Sequence, residues 1–252
     1  MTAPHGHRAG SRLDDPRQHP AQAGVLVDVH TGLQQLRISR HPIFGGQLFL
    51  DDDLQISESD AAYGMAMVSP VLGLERLHHV AILGGGDGGV LYELLRSLEP
   101  LGPLPRVTMV EIDGQVIEAS RQHLPAVCGD AFERSEATLV VGDAFAWIER
   151  ARDLDAVIYD LTMDPVREGQ TREAFMREIL AKIGRALRPG GVFSMQCCGH
   201  GRDDPRDRAD RRTLLPLIRT AVDGHFSDRC EQDVLIPSYR DLWTFLSARK
   251  PA

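Results

Sequence analysis

Residues 81–90 read AILGGGDGGV: an apolar run, then five glycines around a single aspartate, Asp87. HHVAILGG before the loop has the pattern of a buried strand, and GGVLYELLRSLEP after it that of a helix. Strand, glycine loop, helix is the unit that opens nucleotide-binding α/β domains. Gly84, Gly86 and Gly89 fit G-x-G-x-x-G, which is a weak signal alone because glycines recur in turns. Asp87 is the informative residue. Phosphate normally sits beside such a loop, and two like unit charges about 4 Å apart repel by roughly 4 kcal/mol at an effective dielectric of 20. The loop is therefore expected to take a nucleoside with a cationic tail rather than a dinucleotide.

Outward from this loop the alternation continues. RVTMVEID, ATLVVGD, LDAVIYD and GVFSMQC read as strands, separated by helices in GQVIEASRQHL, AFAWIERA and REAFMREILAKIGRAL. A helix in RRTLLPLIRTAVDGHF and a last strand in DLWTFLSARK follow. Near-continuous apolar strands alternating with helices predict a parallel sheet covered on both faces. Ligands then bind beyond the carboxyl ends of the strands. Those ends fall at Gly84–Asp87, Glu111–Asp113, Asp143 and Asp160, so four carboxylate-bearing strand ends face one crevice.

Upstream, LQQLRIS and QLFL read as short strands, with turns at Gly45-Gly46 and Asp51–Asp53. DAAYGMAMVSPVLGL reads as a helix broken at Pro70. The expected organisation is a disordered tail over 1–23, a small β region over 24–70 and an α/β domain over 71–252. GHGRDDPRDRADRR, residues 199–212, is expected to be a mobile charged loop.

The 252 residues carry 28 Lys and Arg against 36 Asp and Glu, a formal net charge of −8. That balance argues against a nucleic-acid partner and suits a cationic small substrate. No apolar stretch approaches the roughly 18–20 residues that span a bilayer, and the tail has no signal-like apolar core. Cys128, Cys197, Cys198 and Cys230 lack zinc-site spacing and are expected to be reduced thiols in a cytoplasmic protein with no metal.

Glu111 closes its strand 22 residues after Gly89, where a carboxylate can accept from both hydroxyls of a ribose; the bland alternative is a solvated strand end. Asp143 can accept from an adenine amino group, with Ala144 and Phe145 beside the ring, or it caps the helix AFAWIER; both roles are compatible. Adenine, ribose and a cationic tail are the parts of an S-adenosylmethionine derivative.

GGGDGG, VEID, VGDAF and the segment DLTMDP, in this order, resemble the spermidine synthase family of aminopropyltransferases. FGGQLFLDDDLQISESD, IPSY and LWTF are similar to further motifs of that family, so the resemblance covers about residues 25–250. It implies a class I methyltransferase-like (Rossmann-like) sheet with a small N-terminal β domain, assembled as a homodimer or homotetramer. It implies decarboxylated S-adenosylmethionine as donor and a diamine such as putrescine as acceptor. Carried over by motif, Gln34 and Asp87 would hold the donor's aminopropyl end, Glu111 the ribose, and Asp143 with Ala144 the adenine. Asp160 would be the catalytic aspartate, Tyr63, Asp164 and Tyr239 would line the amine site, and residues 161–170 would form a lid.

The departures from the family pattern lie on the acceptor side. Tyr63 stands one residue early, and Gly64 and Met65 replace the polar pair that should follow it. DLTMDPVRE has one extra residue, and Arg240 follows Tyr239 where a proline is usual. These changes point to an amine acceptor other than free putrescine. The alternative is an enzyme using intact S-adenosylmethionine, transferring methyl or aminocarboxypropyl. A non-catalytic nucleoside-binding protein and a dehydrogenase are further readings, which the carboxylates at the strand ends disfavour.

Overall fold

The computed structural model describes residues 24–162 and 169–252; the predicted tail over 1–23 and the centre of the predicted lid, including Asp164, lie outside them. Two sheets are present. The first is antiparallel, in the order β1 (Val25–His30), β2 (Gln35–His41), β3 (Gly45–Leu50), β4 (Asp53–Ser57). After α1 (Ala61–Leu72) comes the alternating region: β5 (His79–Gly84), α2 (Gly89–Leu98), β6 (Arg106–Glu111), α3 (Gly114–His123), the short α4 (Pro125–Cys128), β7 (Ala137–Val141) and α5 (Ala144–Arg150). It continues through β8 (Leu154–Asp160), α6 (Arg172–Ala186), β9 (Leu187–Gly199), α7 (Pro205–Asp223), β10 (Ser227–Ile236) and β11 (Asp241–Arg249). The second sheet has the order β10-β11-β9-β8-β5-β6-β7. Its strands from β5 to β9 pair in parallel, and β10 and β11 join antiparallel at one edge.

The β5 side chains explain the layering. Val80 and Ile82 point into the core shared with α1, α2, α3 and the first sheet; Ala81 and Leu83 point into the core under α6 and α7. A strand buried on both faces has to be apolar at its buried positions, as Val80–Leu83 are here. Leu36, Ile38, Leu48 and Ile56 carry the first sheet into the same core as Tyr63, Met67 and Leu91.

Three local expectations are corrected. Gly45 and Gly46 open β3 rather than forming the turn; residues 42–44 turn instead, with His41 Nδ1 accepting the N–H groups of Ile43 and Phe44. Gly45 has φ +75°, and a Cβ there would lie 2.2 Å from Glu58 Oε2. Pro70 lies inside α1 and does not break it. Proline removes a bond to the carbonyl four residues back, and that carbonyl, Ala66 O, accepts from Gln232 Nε2 of β10 at 2.9 Å. Residues 205–212 are helical and not a mobile loop. Asp204 caps α7 through the Arg206 N–H at 2.7 Å, Pro205 occupies its first turn, and Asp210 pairs with Arg172 of α6 at 2.6 Å.

β10 was not legible in the sequence. It is an edge strand with mostly exposed or half-buried residues, so it lacks the apolar run that marks the central strands. Cys128, Cys197 and Cys198 are buried free thiols and Cys230 is an exposed one. No described helix is long and apolar enough to cross a membrane.

Candidate active site

The strand order places the site. From β5 the chain moves to β6 on one side, and β8 lies on the other, so the crevice opens at the carboxyl ends of β5, β6 and β8. Register then fixes the neighbours. Gly84 pairs with Asp160, and Glu111 pairs with Val141, the residue that ends β7.

The glycine loop is shaped by what surrounds it. Gly84, Gly85 and Gly88 have φ of +83°, +75° and +80°, a region that disfavours residues with a Cβ. A Cβ at Gly84 would lie 2.1 Å from Asp160 O, and one at Gly86 would lie 2.8 Å from Glu111 Cγ. The loop is therefore packed directly against both carboxylate residues. Asp87 Oδ1 accepts the Gly89 N–H at 2.8 Å, at the first residue of α2. An exposed helix N-terminus is a phosphate site; here the chain's own carboxylate occupies it.

Asp87, Glu111 and Asp160 form one electrostatic group. Desolvation raises the carboxyl pKa of Asp87, opposed by the Gly89 N–H. Burial raises Glu111 as well, against the N–H groups of Asp113 and Gly86, and the Asp87 charge adds to the rise. Asp160 is pushed up to about 7, first by desolvation and then by the Asp87 charge, with Glu111 adding to it. Desolvated carboxylates gathered this closely favour a bound cation.

Tyr63 reaches this group despite its shortened spacing. Its hydroxyl donates to Asp160 Oδ1 at 2.6 Å, which partly offsets the rise at Asp160. Desolvation, followed by the charge of Asp160, holds the Tyr63 phenol well above its ordinary pKa, so it stays a donor. Its ring meets Phe245 edge-on at 5.2 Å and Tyr239 at 6.4 Å, and Tyr239 meets Trp243 at 5.0 Å. Tyr239 donates to Gln55 O, and Trp243 Nε1 donates to Gln196 Oε1 at 2.9 Å. Gly64 is buried, and a Cβ there would lie 3.2 Å from Glu93 Cβ, so α1 and α2 are in close contact where a polar side chain would be expected. Met65 is 38% exposed.

Asp60, which sequence reasoning missed, ties this wall together. It is 2% exposed and accepts from Ser57 N at 2.8 Å, from Ser238 N at 3.0 Å and from the Ser238 hydroxyl. It thus joins β4 and the start of α1 to the residue before Tyr239. Its signal was present in SESD, where a single Asp precedes a helix.

On the β7 side, Asp143 caps α5 through the N–H groups of Phe145 at 2.8 Å and Ala146 at 3.3 Å, and remains exposed. Ala144 is buried, and Phe145 packs edge-on against Phe175 at 5.4 Å. Ile112 and Val141, 54% and 63% exposed, offer apolar surface beside Glu111 and Asp143. Gln34 donates its amide to Asp113 Oδ2 at 3.0 Å, which places it by the carboxylate two residues beyond Glu111. Among the described residues no group of three or more His, Cys, Asp or Glu is arranged to hold a metal ion.

Comparison with known proteins agrees with this geometry. The family model described as spermine/spermidine synthase domain matches residues 61–250. A polyamine aminopropyltransferase of Korarchaeum cryptofilum is 33% identical over 206 residues, 81% of this chain and 59% of that protein. The chain thus spans about three fifths of the length of that relative. Polyamine aminopropyltransferase 1 of Bacillus cereus is 35% identical over 230 residues, 90% of this chain and 78% of that one. The crystal structure of spermidine synthase from Thermotoga maritima superposes with a TM-score of 0.71 at 23% identity, over 90% of this chain and 72% of that one, so the fold is shared. A methyltransferase-like sheet, a glycine loop carrying its own carboxylate, and the matched span from Ala61 to Lys250 assign the chain to the spermine/spermidine synthase domain family.

Proposed function

We propose that this site transfers an aminopropyl group from decarboxylated S-adenosylmethionine to an amine, releasing methylthioadenosine. The observation that carries the reading is the crevice of Asp87, Glu111 and Asp160, whose carboxyl groups are all pushed up by desolvation, with the Asp87 charge raising the other two further. A donor bearing a sulfonium and a terminal ammonium relieves that repulsion. Intact S-adenosylmethionine adds a carboxylate to it and is disfavoured. A dinucleotide is disfavoured for the same reason at Asp87.

The residues divide as follows. Glu111 accepts from the ribose hydroxyls; Asp143 and Ala144 border the adenine, with Ile112 and Val141 as apolar surface. Asp87 takes the aminopropyl ammonium. Gln34, bonded to Asp113, is assigned to the ribose end rather than to the aminopropyl end. Tyr63 Oη occupies Asp160 Oδ1, which leaves Oδ2, beside Gly85, for the incoming amine.

An amine in water is an ammonium with a pKa near 10 and no lone pair, so it must lose a proton before it attacks. Asp160, with a pKa of about 7, accepts that proton near neutral pH. The freed nitrogen attacks the methylene next to sulfur. The C–N bond forms, the C–S bond breaks with its electron pair going to sulfur, and neutral methylthioadenosine leaves. Holding the two reactants in line supplies a large share of the acceleration.

For the acceptor, the reading is an amine different from or larger than putrescine. Gly64 brings no side chain and Met65 no hydrogen-bonding group where the related motif carries a polar pair. A buried amine without partners costs several kcal/mol. The test is a panel of amines with the decarboxylated donor, with products identified by mass. The highest kcat/KM on an amine other than putrescine supports the reading; the highest value on putrescine overturns it. Self-association through the first sheet is supported by exposed Val25, Leu26 and Val29 on β1, and light scattering tests it.

A further inference from the structure

One carboxylate joins the first sheet to the nucleoside end of the crevice. Asp113 is 3% exposed. Its Oδ1 accepts the Gln115 N–H at 3.0 Å and caps α3. Its Oδ2 accepts the Thr31 hydroxyl at 2.6 Å and the Gln34 amide at 3.0 Å, both from the β1–β2 turn. Its own N–H donates to Glu111 Oε1 at 2.9 Å. Gln115 Nε2 adds a second tie to the turn, donating to Thr31 O at 2.9 Å.

Helix capping alone does not account for this arrangement. A cap needs one acceptor oxygen, and serine provides it as well as aspartate does. The second oxygen of Asp113 is spent on a turn 79 to 82 residues away in sequence. Burial of a carboxylate is costly unless its oxygens are hydrogen-bonded, and here the turn supplies two of the donors.

We infer that Asp113 is a positioning residue for the donor: it straps the Thr31–Gln34 turn beside Glu111 and fixes the orientation of that ribose-facing carboxylate. The inference rests on the reading that Glu111 accepts from the ribose. Its consequence is a split in the kinetics. Loss of the strap weakens donor binding through the ribose and leaves the proton transfer at Asp160 untouched.

The test uses Asp113→Ser, which keeps the cap but cannot reach the turn, and Thr31→Val, which removes the hydroxyl from the other side. Methylthioadenosine and its 2′-deoxy analogue are titrated calorimetrically into the full chain, with Glu111→Gln as reference. Each strap variant is expected to weaken methylthioadenosine about tenfold. Affinity for the deoxy compound and kcat at saturating donor should stay within about twofold, and the double variant should be no weaker than either single one, as expected for one shared interaction. If Glu111→Gln loses the preference for the ribose compound while both strap variants keep it, the strap is rejected and the ribose reading stands. If Glu111→Gln keeps the preference, the ribose reading itself fails. Equal loss of both compounds together with a lowered melting temperature makes Asp113 a structural support only and overturns its positioning role.

Discussion

The Tyr63 hydroxyl donates to Asp160 Oδ1 at 2.6 Å, linking α1 to the end of β8 across 97 residues of sequence. A hydrogen bond to the charged form stabilises the carboxylate, so this contact lowers the Asp160 pKa against the desolvation that raises it. Tyr63→Phe removes the donor, and the Asp160 pKa should rise further. The active form is the carboxylate, so the acidic limb of the pH profile, near 7 in the parent protein, should move upward by about one unit. At pH 7 the loss in kcat/KM should be about fivefold, because the ionised fraction falls from about a half to about a tenth. The profile of kcat/KM against pH checks this; a fall in rate with an unmoved limb would show that the phenol does not tune Asp160.

The same raised pKa predicts a stability effect. Asp160 holds its proton up to about pH 7 when folded, whereas an ordinary aspartate loses it near 4. Between those values the folded state binds more protons, so this group's contribution to stability is full below about pH 4 and is lost as pH rises through 7. Asp160→Asn keeps a polar partner for Tyr63 and cannot ionise. It should stabilise the fold by about 1–3 kcal/mol at pH 8, after allowance for solvent reaching the half-buried group, and by little at pH 5. Urea unfolding at the two pH values measures the difference. Turnover should collapse in the same variant while donor binding persists.

Gly86 and Glu111 approach so closely that a Cβ on Gly86 would lie 2.8 to 2.9 Å from three Glu111 side-chain atoms. Gly86→Ala should displace the ribose carboxylate and weaken donor binding by tenfold or more, about 1.4 kcal/mol. The KM for the amine should change little. Isothermal titration with methylthioadenosine gives the result directly, and unchanged affinity would remove Glu111 from the ribose role.

Asp60 binds both sides of the aromatic wall. Asp60→Ala leaves the Ser57 and Ser238 N–H groups without their acceptor and should cost about 2–4 kcal/mol. Because Ser238 precedes Tyr239, and α1 carries Tyr63, the KM for the amine should rise more than the KM for the donor. Steady-state kinetics with each substrate varied in turn tests that asymmetry.

The centre of the sheet was legible because β5, β6 and β8 carry apolar runs and end in Gly84, Glu111 and Asp160. That pattern alone brings Gly84, Glu111 and Asp160 to one edge. What escaped reading depends on partners far apart in the chain. Pro70 stays helical because Gln232, 162 positions later, meets the carbonyl the proline frees. Tyr63 looked displaced by its spacing, yet α1 delivers its hydroxyl to Asp160. Asp113 stood in the sequence only as part of a strand end, and the structure shows its Oδ2 engaged with Thr31 and Gln34. The start of α7 had a local signal in Asp204-Pro205, outweighed in the reading by the charge density around it.

On the reading proposed above, three carboxylates in one crevice select a donor ending in an ammonium. Calorimetric titration of the protein with decarboxylated and with intact S-adenosylmethionine, side by side at pH 7.5, a working value above the Asp160 pKa, tests it most directly. The decarboxylated compound should bind tighter by about tenfold or more, with the advantage reduced in Asp87→Asn. Tighter binding of intact S-adenosylmethionine would contradict it.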